Sequence, residues 1–118
     1  MVTVLVVEDE RDIREIVAEA LADEGYQVIG ACDGAEALDK LRACHPEVVL
    51  LDLMMPRMDG WQFRAAQRQD PDPGVSGVPV IVLSALGRVA DLDAAEYLQK
   101  PFELDQLLSA VRHQVHHA

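Results

Sequence analysis

Residues 46–52 read Pro46-Glu47-Val48-Val49-Leu50-Leu51-Asp52. Proline closes the helical pattern before it, and the apolar run that follows is strand-sized. Near-continuous hydrophobicity over 47–51, apolar from Val48 to Leu51, predicts a central strand of a parallel sheet, covered on both faces. An acid set directly after such a run is costly unless it is used. Asp52 is therefore the first candidate for chemistry.

Working outward, strand and helix patterns alternate. Residues 4–7 form a short apolar run. Over 12–24, Ile13, Ile16, Val17, Ala20 and Leu21 fall on one helical face, and Gly25 stops the helix. Residues 27–31 read as a second strand, and 35–43 as a helix with Ala37, Leu38 and Leu41 inward. A third helix is expected over 61–69, a loop rich in proline and glycine over 70–77, and strands over 79–83 and 97–99. A closing helix over 103–114 would turn Leu104, Leu107, Leu108 and Val111 inward. Five strands alternating with helices predict an open parallel α/β sheet.

The 118 residues suit one domain with a real core, and 50% are hydrophobic. No stretch is long and apolar enough for a membrane helix, and Met1 leads straight into a strand pattern without a signal peptide. The net charge of −11 repels nucleic-acid phosphates, so direct nucleic-acid binding is not expected. Cys32 and Cys44 read as reduced thiols packed like small apolar residues, which fits a cytoplasmic protein.

In such sheets, ligands bind beyond the carboxyl ends of the strands. Glu8 and Asp9 follow the first strand, Asp52 the third, Ser84 the fourth and Lys100 the fifth. Crowded carboxylates raise one another's proton affinity unless a cation is present, and magnesium (Mg²⁺), a hard ion with oxygen ligands, answers that need. A carboxylate beside it can attack phosphorus, while a lysine and a hydroxyl neutralise the phosphoryl oxygens. Taken alone, Glu8 and Asp9 read equally well as solvated acids opening a helix, and Lys100 as a surface lysine.

The words Val6-Val7-Glu8-Asp9-Glu10, Asp52-Leu53-Met54-Met55-Pro56 with Met58-Asp59-Gly60, Ser84-Ala85 and Tyr97-Leu98-Gln99-Lys100-Pro101-Phe102 together resemble the receiver domain of bacterial two-component response regulators, the chemotaxis regulator among them. The likeness covers residues 1–118 as one receiver domain. It implies a flavodoxin-like open five-stranded parallel sheet, order 2-1-3-4-5, with helices on both faces. It implies that Asp52 accepts a phosphoryl group from a sensor histidine kinase or a histidine phosphotransfer protein. Asp9, Asp52 and the Met54 backbone carbonyl would ligate Mg²⁺, with Glu8 acting mainly through water, and Ser84 and Lys100 would bind the phosphoryl oxygens. Lys100–Pro101 would be cis, and Tyr97 would switch together with Ser84. Such a chain assists its own phosphorylation and dephosphorylation but is not a turnover enzyme. Its output would be a downstream effector protein or domain, with a homodimer left open.

Two departures stand out. Ser84 and Lys100 are only 16 positions apart, so the fourth helix of the family should be shortened, to one or two turns or an irregular crossover over 86–96. Met54 and Leu86, at positions that tune phosphoryl lifetime in the family, are both apolar. An aspartyl-phosphate phosphatase would need an acid where Met54 stands. A flavodoxin-type cofactor module would need a phosphate loop where Glu8, Asp9 and Glu10 stand. A degenerate receiver, acting as an interaction module without phosphorylation, is the remaining alternative. His113 and His117 are spaced for a metal, but a frayed end favourable to the helix dipole is preferred. Trp61 reads as a packing aromatic.

Overall fold

The computed structural model describes residues 1–55, 57–85 and 92–115. Strands β1 (Thr3–Val7), β2 (Gln27–Ala31), β3 (Val48–Asp52), β4 (Val80–Ser84) and β5 (Glu96–Gln99) form one sheet in the order β2-β1-β3-β4-β5, parallel throughout. This is the flavodoxin-like order. The helices are α1 (Arg11–Asp23), α2 (Gly34–Cys44), α3 (Gly60–Arg68), α4 (Pro73–Ser76) and α5 (Leu104–Val115).

Side chains alternate across the strands and so feed two cores. Leu5, Val7, Val49, Leu51, Val80 and Val82 pack with Leu38 and Leu41 of α2 and Phe63 of α3. Val4, Val6, Val48, Leu50, Ile81 and Leu83 pack with Val17 and Leu21 of α1 and Leu107 and Val111 of α5. The central strands β3 and β4 are buried along their whole length, whereas the edges β2 and β5 are only partly covered. That difference explains why the run before Asp52 carries no polar alternation.

Local chemistry sets the helix ends. Asp33 caps α2 by accepting from the Glu36 amide at 2.9 Å. Asp59 and Gln62 form a reciprocal capping box at the start of α3. After α1 the chain turns at Gly25, whose φ of +92° lies in the left-handed region.

Several sequence expectations need correction. Residues 70–77 are not all loop. Asp72 accepts from the Gly74 amide and Pro73 occupies the first turn, so one helical turn forms, and its Val75 is buried. Ile16 is 56% exposed and Leu104 is 41% exposed, not inward. On α1 the inner line runs through Ile13, Val17 and Leu21, and Ile16 stands about 100° round the helix from Val17. Leu104 opens α5, in a first turn where only later residues reach the sheet. Cys44 is exposed rather than packed, and both cysteines are free thiols. Strand β4 starts at Val80, one residue after Pro79, which has no amide proton to give the ladder.

Of the expected short crossover, residues 86–91, with Leu86 and Val89, lie outside the described residues. Residues 92–95 are not helical, and Leu92 is buried in the core shared with α2 and α3. His117 also lies outside the described residues, so its pairing with His113 does too. His113 faces Glu96 at 3.1 Å. No helix among the described residues is long and apolar enough to cross a membrane.

Candidate functional site

The parallel register aligns the carboxyl ends of β1, β3, β4 and β5 along one edge. Val7 pairs with Leu51, Asp52 with Leu83, and Ser84 with Gln99. Residues at or just after those ends therefore become neighbours. The cavity at this edge, about 440 Å³, is lined by Asp9, Glu10, Asp52, Leu53, Met54, Trp61, Ser84, Ala85 and Lys100.

Three acids converge beside it. One carboxylate oxygen from each of Glu8, Asp9 and Asp52 lies within 4.8 Å of the others. Glu8 and Asp52 are buried, and Asp9 is exposed. Lys100 answers them with one positive charge, its Nζ standing 3.4 Å from Glu8 Oε1 and 3.4 Å from Asp52 Oδ2. The backbone fixes that placement. The Lys100 amide donates to the Ser84 carbonyl at 2.8 Å, and the following Lys100–Pro101 peptide is cis. Ser84 is itself buried at the end of β4.

The remaining candidates lie around this centre. The Met54 amide donates to Asp52 Oδ1 at 3.3 Å, while its side chain is on the surface, 74% exposed. Tyr97 is partly buried on β5, and its hydroxyl donates to the Leu92 carbonyl. Trp61 packs on the core as expected, but it also lines the cavity. Sequence reading missed two ties: the pairing of Arg57 with Asp33 and the burial of Gln67. The Gln67 side-chain amide donates to the Val75 and Val78 carbonyls at 2.9 and 3.0 Å. A glutamine on a helix gives no sequence signal of such a role.

The charge balance at the site is uneven. Burial pushes the Glu8 carboxyl up to about 7, and a hydrogen bond with Asp52, the charge of Asp52 and a hydrogen bond with Asp9 push the same way. The Glu10 amide, 3.3 Å from Glu8 Oε2, works against them. Burial alone would lower the Lys100 ammonium, but attraction to Asp52 and Glu8 outweighs it and raises the group. Three acids against one base leave negative charge that a hard divalent cation with oxygen ligands would neutralise, so the donor set fits Mg²⁺.

A pH signature follows. Glu8 holds its proton in the fold more tightly than its ordinary value of 4.5. Folding then takes up a proton between about 4.5 and about 7, and stability from this group falls as pH rises through that window. A divalent cation bound there would displace the same proton. The metal-free protein should therefore melt lower at about pH 8 than at about pH 5.5, and millimolar Mg²⁺ should raise the midpoint more at the higher pH. Glu8→Gln should flatten both dependences. A midpoint that responds to Mg²⁺ equally at both pH values would contradict this.

Comparison with known proteins decides the family. The model of the response regulator receiver domain matches residues 4–112. The chain belongs to this family. Receiver domains serve two-component signalling; they generally bind Mg²⁺, interact with histidine kinases and effectors, and are not turnover enzymes. Over 117 residues this receiver is 43% identical to the response regulator MprA of Mycolicibacterium vanbaalenii, covering 94% of the chain and 49% of that protein. It is 43% identical over 115 residues to ycf27 of Guillardia theta, covering 92% and 43%. The receiver thus spans just under half the length of these curated relatives. Among solved structures, chemotaxis protein CheY4 of Vibrio cholerae is similar at a TM-score of 0.85 with 31% identity, covering 97% of this chain and 98% of that one. The Francisella response regulator 1452 receiver domain is similar at 0.85 with 27% identity, covering 100% of both.

Proposed function

We propose that this receiver domain is a phosphorelay switch that takes a phosphoryl group onto Asp52. The observation that carries the reading is the convergence of Asp52, Glu8, Asp9 and Lys100 at one sheet edge, with Ser84 lining the same cavity. Asp9, Asp52 and the Met54 carbonyl would hold Mg²⁺, with Glu8 behind them. When bound, the ion supplies charge neutralisation for the phosphoryl oxygens.

The chain's own residues do the rest. An Asp52 carboxylate oxygen forms a bond to phosphorus, in line with the donor. The bond from phosphorus to the donor nitrogen or oxygen breaks, and its electron pair leaves with the donor. Lys100 places its ammonium against the transferred group, and the Ser84 hydroxyl donates one hydrogen bond to it. Ala85, next to Ser84, leaves room. The physiological donor would be a histidine kinase or a histidine phosphotransfer protein, and the product would act on a downstream effector.

Ser84 and Tyr97 form the proposed switch. Tyr97 pairs in register with Val82, two residues before Ser84, and its hydroxyl is held by the Leu92 carbonyl. Movement of Ser84 toward a bound phosphoryl group would loosen that neighbourhood and change the surface around β4 and β5.

The test is incubation with acetyl phosphate, a small acyl phosphate, followed by intact-mass measurement. A single phosphoryl adduct that requires Mg²⁺ and is suppressed by a chelator is expected. No adduct under any metal condition would refute the reading. Lifetime gives a second measurement. Met54 exposes an apolar side chain beside the acceptor and cannot orient an attacking water by hydrogen bonding. Met54→Asn should speed decay of the adduct several-fold, and unchanged decay would count against the role given to this position.

A further inference from the structure

The loop that follows the acceptor is tied to the second helix by a charge pair that the proposed phosphoryl chemistry does not use. Asp33 is buried at the start of α2, and its two oxygens have separate tasks. Oδ1 accepts from the Glu36 amide at 2.9 Å, while Oδ2 accepts from Arg57 Nη2. The capping bond with Glu36 and the Arg57 guanidinium both hold the Asp33 carboxyl below the usual carboxylate range, against its burial.

Arg57 is an unusual residue for its place. Its φ is 63°, in the left-handed region where glycine or asparagine is ordinarily found. Its side chain is 72% exposed, so core packing does not explain it. A strained backbone persists where surrounding contacts over-determine it. Here the contact is the guanidinium on Asp33.

The loop is held at two further points. The Gly34 amide donates to the Met58 carbonyl at 3.0 Å, and the Gly60 amide donates to the Leu53 carbonyl at 3.0 Å. Both approaches are close. A Cβ at Gly34 would lie 2.6 Å from the Met58 carbonyl oxygen, and one at Gly60 would lie 2.8 Å from Leu53 Cα. Met54 hangs between these anchors, largely exposed, with its amide on Asp52. Gly60–Leu53 closes the base of the loop, and Gly34–Met58 with Asp33–Arg57 pins its far side.

We propose that the Arg57–Asp33 pair is a latch that fixes the loop after the acceptor and so presets the Met54 backbone for the divalent cation. Arg57 is a positioning residue, and the metal half of the proposal rests on the cation site given above. Groups that orient metal ligands are commonly worth on the order of tenfold in affinity or more when removed.

The test uses Arg57→Gly, which relieves the backbone but removes the cation, Arg57→Lys, which keeps a cation, and Asp33→Asn, which keeps a capping oxygen but removes the charge. Two readouts are taken on the whole chain: amide hydrogen exchange at Gly34 and Gly60 without metal, and Mg²⁺ titration followed by fluorescence of Trp61, the single tryptophan, which lines the cavity. Arg57→Gly should speed exchange at both glycines and raise the Kd for Mg²⁺ roughly tenfold. Asp33→Asn should do the same, the double variant should be no worse than either single one, and Arg57→Lys should recover part of the loss. A purely structural role would lower the melting midpoint without moving the Kd.

Parent-like exchange and parent-like Kd in Arg57→Gly would overturn the latch. So would additive effects in the double variant. If Asp33→Asn does not fold, the Arg57 variants decide alone, since they change an exposed side chain. A parent chain that takes up no Mg²⁺ would overturn the cation reading and the consequence for Met54, and the metal-free exchange rates would still decide whether the pair holds the loop.

Discussion

Asp52→Ala should reduce labelling by acetyl phosphate to background while leaving the fold intact. The carboxylate is the nucleophile of the proposed transfer, and neither neighbouring acid can replace it. Glu8 is buried with its carboxyl raised to about 7, so near neutral pH much of it carries a proton and is a poor nucleophile. Asp9 is exposed two residues past the end of β1, whereas Asp52 ends β3 itself. Loss of fold would not explain the result. The charge of Asp52 disfavours ionisation of Glu8, and its carboxylate favours the protonated Glu8 by accepting a hydrogen bond from it. Removing it lets Glu8 ionise more easily, and Lys100 keeps Glu8 as a partner at 3.4 Å. The melting midpoint of the metal-free variant should therefore equal or exceed that of the parent. Intact-mass measurement of parent and variant side by side checks the labelling, and thermal denaturation checks the fold. Labelling of Asp52→Ala at the parent's rate would show the acceptor assignment to be wrong.

Lys100→Met should slow phosphoryl uptake by roughly 10²- to 10³-fold, the scale on which a single preorganised group facing developing charge contributes. Methionine keeps most of the side-chain stem and removes only the cation. The structure places that cation between Asp52 and Glu8 by a backbone bond to Ser84, and among the described residues no other base pairs with either acid. Arg14 on α1 spends its Nη1 on the Glu8 carbonyl at 2.7 Å. Lys100→Arg should restore only part of the rate, because a planar fork does not reproduce a compact point charge. Initial rates of adduct formation under saturating Mg²⁺ measure both variants. A Lys100→Met rate within a few-fold of the parent would remove Lys100 from the mechanism.

These two variants also separate the phosphoacceptor from a receiver that only binds partners. An interaction module would tolerate both changes at the sheet edge with no chemical consequence. A phosphoacceptor loses its chemistry in each and keeps its fold.

Much of the architecture could be read before any coordinates. Runs such as Val48 to Leu51 and the i, i+4, i+8 line Ile13, Val17, Leu21 are local properties of the chain, set by which side chains must leave water and by the periods of strand and helix. The strand-end positions of Glu8, Asp9, Asp52, Ser84 and Lys100 followed from those runs, because a parallel sheet brings all its carboxyl ends to one edge. Local reading erred where neighbours from other elements decide the outcome. Ile16 and Leu104 have the hydrophobicity of core residues, but they line a surface cleft with Ile13, Val17, Pro101 and Phe102 and stay exposed. The turn at Pro73–Ser76 depends on Asp72 reaching the Gly74 amide, a choice that proline-rich sequence leaves open.

What the sequence determined by itself is the succession of the strands and longer helices and the kinds of groups at their ends, since both depend on residues close together in the chain. Only the tertiary structure decided how those groups act on one another. Glu8 holds its proton because burial and Asp52 meet at one point, and Arg57 reaches Asp33 because a loop folds back over the start of α2. Such effects fall off over a few ångströms and join residues as far apart as Glu8 and Lys100. Distance along the chain carries no information about them until strand register and loop path fix the distances in space.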